Sequence, residues 1–131
     1  GETIWEREGL EKCPTGLAAG ADRIFATTPA GQITCFDLHT GELGWRFQTG
    51  DDLLDMTPYS RGGRSLLAAP VRWRERVIVG GLDGVLYILD AASGACVSET
   101  RFGAPISATP CLMGDGLCVG TWDGRLYCFG G

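Results

Sequence analysis

Apolar residues in this chain arrive in short bursts and never in a helical rhythm. Val77-Ile78-Val79 and Leu86-Tyr87-Ile88-Leu89 are runs of β-branched, aromatic and aliphatic residues, bounded by Gly80-Gly81 and Asp83-Gly84. No segment repeats apolar residues at i, i+3, i+4 and i+7 over as many as ten residues. Asp-Gly pairs suit tight hairpins, because glycine accepts a positive φ without a Cβ clash. One stands at Asp83-Gly84, and Asp115-Gly116 is expected to do the same between Leu112-Met113 and Leu117-Cys118-Val119. The pattern predicts an all-β chain of short antiparallel strands.

The strands recur. Pro70–Asp90 and Pro110–Gly130 align at an offset of 40, with Pro70/Pro110, Val79/Val119, Gly80/Gly120, Asp83/Asp123, Gly84/Gly124, Leu86/Leu126 and Tyr87/Tyr127 coinciding. A more diverged copy precedes them, where Gly31, Ile33 and Asp37 match Gly84, Leu86 and Asp90 at an offset of 53. The extra length falls mainly in residues 51–63. After Asp37 a turn through Gly41 leads to a strand with Trp45 and Phe47; after Asp90 the equivalent strand has Ser98 in the tryptophan's place. Four antiparallel strands in about 40 residues are the content of one β-propeller blade.

The stretch Cys35-Phe-Asp-Leu-His-Thr-Gly-Glu-Leu-Gly-Trp45 resembles the tryptophan-docking repeat of the pyrroloquinoline-quinone-like propellers, Ala-x-Asp-x-x-x-Gly-x-x-x-Trp. The resemblance covers nearly the whole chain. It implies that Trp5 and Trp45 pack between blades, with Gly1, Gly41 and Gly94 as the repeat's glycines. Cys35, Ile88 and Cys128 depart from the small-residue position, and Ser98 departs from the tryptophan.

Residues 1–131 therefore read as one propeller-repeat domain with blade equivalents at 14–48, 68–101 and 105–131. Gly1-Glu2-Thr3-Ile4-Trp5 matches Gly41-Glu42-Leu43-Gly44-Trp45, so residues 1–6 are expected as a fourth strand completing the last blade. Three blades fall short of the four to eight of typical propellers. Two closures follow: a homodimer making a six-bladed ring, or a piece of a longer propeller.

Composition narrows the function. Sixteen Asp and Glu against eleven Lys and Arg give a net charge of −5, and no basic run exists, which argues against a nucleic-acid partner. The apolar runs are far shorter than the roughly 20 residues of a membrane-spanning helix. Six cysteines, at 13, 35, 96, 111, 118 and 128, form no Cys-x-x-Cys, and His39 is the one histidine, so no zinc site is expected. They read as buried free thiols of a reducing, cytoplasmic compartment, or a periplasmic one if a signal has been removed. Cys111 and Cys118 flank a turn, and a disulfide between them is a minor option.

The resemblance also raises enzymes, since relatives include quinoprotein dehydrogenases. Their adjacent-cysteine pair is missing here, as is any asparagine for their calcium site, so no catalytic, cofactor or metal residue is assigned. Asp37 and Asp90 suit caps on turn backbone, and Asp83 and Asp123 suit hairpins. What remains is surface. The insertion carries Asp51, Asp52, Leu54, Met56, Tyr59 and Arg61, and Trp122 stands in a turn; both are expected on one loop-bearing face that binds a protein or peptide. The reading is a non-enzymatic scaffold or interaction module that completes its ring with itself or with further blades. The alternatives are a fragment of a quinone-dependent dehydrogenase or of an acyl-activating enzyme's accessory domain, and a self-assembling or engineered propeller fragment without a partner.

Overall fold

A computed structural model describes residues 1–6, 16–20, 22–28, 30–50 and 68–130. Among the described residues, eleven strands form three antiparallel sheets of strands taken in chain order. The first sheet holds β1 (Gly16–Ala19), β2 (Arg23–Thr27), β3 (Gln32–Asp37) and β4 (Leu43–Gln48). The second holds β5 (Val71–Trp73), β6 (Arg76–Gly80), β7 (Val85–Asp90) and β8 (Cys96–Arg101). The third has β9 (Cys111–Met113), β10 (Gly116–Gly120) and β11 (Leu126–Phe129). Among the described residues no helix is long and apolar enough to cross a membrane.

The sheets pack face on face, which explains the continuous apolar runs of the middle one. Side chains alternate across a strand. Val77, Val79, Val85, Tyr87 and Leu89 face the first sheet, where they meet Phe25, Ile33 and Cys35. Ile78 and Leu86, with Ile88 beside them, face the other way and pack with Val119 and Leu117 of the third sheet. A blade thus has a forward side and a back side, and the second blade buries both. Its outermost strand, β8, is exposed along its whole length and carries Glu99 and Arg101. Arg46 and Gln48 are likewise exposed on β4.

Residues 1–6 pair with no strand of this chain, and Trp5 lies against the first sheet, donating from Nε1 to the Leu38 carbonyl at 2.7 Å. Two expectations are corrected. The Asp115-Gly116 hairpin is centred one residue earlier, because Gly114 takes the positive φ of 58° and Gly116 already pairs with Met113. Arg74, the equivalent residue in the second blade, has a φ of 55° without being glycine. Finally, of the described cysteines only Cys35 is buried; Cys96, Cys111 and Cys128 are exposed and Cys118 is partly so. Cys13 lies outside the described residues. The cause is the alternation itself. Cys118 opposes Cys128 on one side and Cys111 on the other, and this row points away from the second blade. All five described cysteines are free thiols, Cys111 and Cys118 among them.

Candidate functional site

The joint between the first two blades is built around one tryptophan. Trp45 opposes Cys35 across β3 and β4, tilts against Phe25 at a ring separation of 5.9 Å, and donates from Nε1 to the Ala91 carbonyl at 2.9 Å. Its ring lies over Gly94, where a Cβ would come within 2.5 Å of the indole. Gly94 has a φ of 74°, so glycine is required there twice, by the backbone and by the ring. Trp5 repeats the arrangement one blade earlier, over Gly41 with its φ of 72°. Gly1 has open space around it and receives no ring.

Each docking turn is held by an aspartate. Asp37 Oδ1 accepts from the backbone N–H groups of His39 and Thr40, and Asp90 Oδ1 from those of Ala92 and Ser93. The amides of Thr40 and His39 hold the Asp37 carboxyl below the usual range, and those of Ser93 and Ala92 do the same to Asp90. These charges organise the turn that carries the glycine; their hydrogen bonds are already spent on it.

The opposite rim gathers the hairpin turns and the blade-to-blade connections. Thr49 donates from its backbone to Gly31, Phe102 to Gly84, Ile106 to Gly81 and Trp122 to Pro105. A buried network that sequence reasoning missed ties the first blade to the second here. Tyr87 Oη donates to Asp83 Oδ2, the Gly50 N–H donates to the same oxygen at 3.0 Å, and the Val85 N–H donates to Asp83 Oδ1 at 3.1 Å. Burial, and then the bond to Asp83, push the Tyr87 hydroxyl well above the usual tyrosine range, so it stays a donor. The third blade keeps Asp123 and Tyr127, but Asp123 accepts from the Thr121 hydroxyl and pairs with Arg125 instead.

Trp122 is half-exposed on this rim and donates to Ser107 Oγ. Asp51, Asp52, Leu54, Met56, Tyr59 and Arg61 lie outside the described residues, so the interaction face expected of them rests here on Trp122 and the rim beside it. The third blade's forward side presents a second apolar surface, with Met113 at 61% and Leu126 at 73% exposure beside Cys111, Cys118 and Cys128. By the repeat these residues match Trp73, Leu86, Val71, Ile78 and Ile88, several of which lie under the next blade. A quinone site of the dehydrogenase kind does not fit these residues: the cysteines form a row across strands, with no adjacent pair to close a cofactor site.

Comparison with known proteins places these blades. The sequence pattern of the family described as "Outer membrane protein assembly factor BamB" matches residues 1–70. The outer membrane protein assembly factor BamB of Shewanella oneidensis is 27% identical over 107 residues, which make up 82% of this chain and 27% of that protein. The chain spans about a quarter of the length of the curated relatives it matches. The crystal structure of BamB from Moraxella catarrhalis superposes with a TM-score of 0.68 at 24% identity, over 86% of this chain and 32% of that one. A quinohemoprotein alcohol dehydrogenase from Pseudomonas putida superposes with a TM-score of 0.67 at 18% identity, over 87% and 18% of the two chains. At these identities the two structures show a shared fold, the β-propeller.

Proposed function

This chain belongs to the BamB family of outer membrane protein assembly factors, and from that premise we propose that its blades are part of a non-enzymatic scaffold that holds other proteins during assembly of the outer membrane. The observation that carries the reading is the family match over residues 1–70, which includes the docking tryptophans Trp5 and Trp45. The construction of the blades supports it. Their polar devices, the Asp37 and Asp90 turns and the Asp83–Tyr87 network, are committed to joining strand to strand and blade to blade. Rigid joints of this kind hold rim loops in fixed relation, as a binding platform requires. The partner is a protein or peptide engaged at the rim bearing Trp122.

The apolar forward side of the third blade supports a second element of the proposal: further blades cover it, in a longer chain or a second copy. The relatives' name ties those proteins to the outer membrane, so the export compartment is proposed in place of the cytoplasm. The free thiols carry no weight for a cytoplasmic placement once most of them are exposed. Among the described residues nothing in the geometry favours a dehydrogenase.

Removing the gene should lower the amount of folded outer membrane proteins per cell, and restoring it should recover them; unchanged levels would overturn the scaffold reading. Closure is tested apart from it, by light scattering of the purified chain at micromolar concentration. A monodisperse species of 13.9 kDa excludes the self-paired ring.

A further inference from the structure

We propose that the cleft between the second and third blades is a docking site for a tryptophan side chain delivered by an extended segment of a partner polypeptide. The proposal goes beyond the scaffold reading and does not rest on it.

The cleft is a cavity of about 230 Å³ lined by Trp73, Ile78, Leu86, Ile88, Leu117 and Phe129. Its position within the repeat explains its existence. At the first joint the equivalent space is filled by Trp45, whose ring packs on Phe25, the residue equivalent to Ile78. At the second joint the equivalent of Trp45 is Ser98, which opposes Ile88 just as Trp45 opposes Cys35. Ser98 is exposed and brings no ring, while the apolar walls on both blades remain; the counterparts of Gly94 and of the Ala91 carbonyl fall outside the described residues. An apolar cavity of about 150 Å³ lined by aliphatic and aromatic side chains is enough to hold benzene. This one is larger and adds two aromatic walls, which favour an aromatic guest through offset or edge contacts.

The chain itself shows how such a ring can be delivered. Residues 1–6 pair with no strand, yet Trp5 docks on the first blade through its indole, over Gly41 and onto the Leu38 carbonyl. A tryptophan on an extended segment is therefore sufficient to occupy a blade joint without completing a sheet. A second joint with the ring missing and its apolar walls in place is an acceptor for a ring held by those walls. Its mouth is marked by the exposed Arg74–Asp115 pair at 3.5 Å, which spans the two blades.

The test uses the whole chain and a peptide of the sequence of residues 1–6, Gly-Glu-Thr-Ile-Trp-Glu, carrying 5-fluorotryptophan. The fluorine signal should shift saturably on titration with the chain, with half-saturation on the order of 1 mM or below. Free indole should displace it. Ser98→Trp, which supplies the missing ring in cis, should weaken peptide binding at least about tenfold. Ile88→Trp fills the same cleft from β7 and replaces that variant should it fail to fold. No saturable shift overturns the proposal, and so does a shift that survives both substitutions, which would place the peptide elsewhere. Binding of indole without binding of the peptide overturns it as well, since the cleft would then accept a small aromatic molecule only.

Discussion

Replacing Gly94 with alanine should cost far more than a surface turn substitution, and the structure says how the cost divides. With φ at 74°, an L-residue at this position pays about 1–2 kcal/mol for the left-handed backbone alone. The new methyl group would also lie 2.5 Å from Trp45 Cδ2 and 2.6 Å from Cε3, so the ring must move. Moving it endangers the 2.9 Å bond from Nε1 to the Ala91 carbonyl, worth about 0.5–1.5 kcal/mol, and disturbs a packed joint at about 1–3 kcal/mol. The sum is about 2.5–6.5 kcal/mol, a large part of the stability of a small domain. Gly103 supplies the control. Its φ is 73°, but nothing lies within 4 Å of the added Cβ, so Gly103→Ala should show the backbone cost alone. Urea unfolding followed by far-ultraviolet circular dichroism gives both values without relying on the tryptophans. In a Trp45→Ala background the cost of Gly94→Ala should fall to that of Gly103→Ala, leaving a coupling of about 1.5–4.5 kcal/mol. If the two glycine substitutions cost the same within about 0.5 kcal/mol and the coupling is near zero, the docked ring does not hold the joint.

Three further outcomes follow from the same geometry. Tyr87→Phe should cost about 1–3 kcal/mol in urea unfolding, since Asp83 loses a buried donor. Because the Tyr87 hydroxyl is raised in the folded state, its contribution is complete below the unfolded value of about 10 and is lost as pH climbs above it; Tyr87→Phe should flatten that alkaline decline. Arg74→Gly should raise stability by up to about 1 kcal/mol, measured the same way, by relieving a left-handed residue where the third blade already has Gly114. Cys118 is pushed up to about 11 by its bond to Cys128, by burial and by the neighbouring thiols. Its alkylation by iodoacetamide, mapped by mass spectrometry, should keep accelerating up to that pH, and Cys128→Ala should move the midpoint down.

Much of this was legible in residues 70–130, where a repeated Val-Gly-x-x-Asp-Gly-x-Leu-Tyr placed strands and turns in register. The Asp37 and Asp90 caps were legible for the same reason: their partners lie two and three residues away. The Asp83 network was not, because its third member, Gly50, is 33 residues distant and meets it only when one blade lies on another. The sequence marks Asp83 and Tyr87 as repeated, and that recurrence is the signal that could have singled them out. The thiols failed differently. Alternation told which side of a strand each cysteine occupies, but burial depends on whether another sheet covers that side. Cys35 and Cys128 hold equivalent positions, and only Cys35 has a blade over it. The likeness of residues 1–6 to 41–46 marked Trp5 as a docking tryptophan, and it lies over Gly41 as Trp45 lies over Gly94.

The exposed outer strands have a consequence for how such a chain can associate. An open strand edge is a template for another strand, and charges along it discourage that pairing. Arg46 on β4 and the Glu99–Arg101 pair on β8 put like obstacles at the periphery of the first two blades. These fences forbid growth outward as a ribbon and leave growth around the axis, blade after blade. β11, the last described strand of the third blade, carries no such charge and exposes Leu126 and Phe129. Of the outermost strands described in the three blades, it is the one left without a fence.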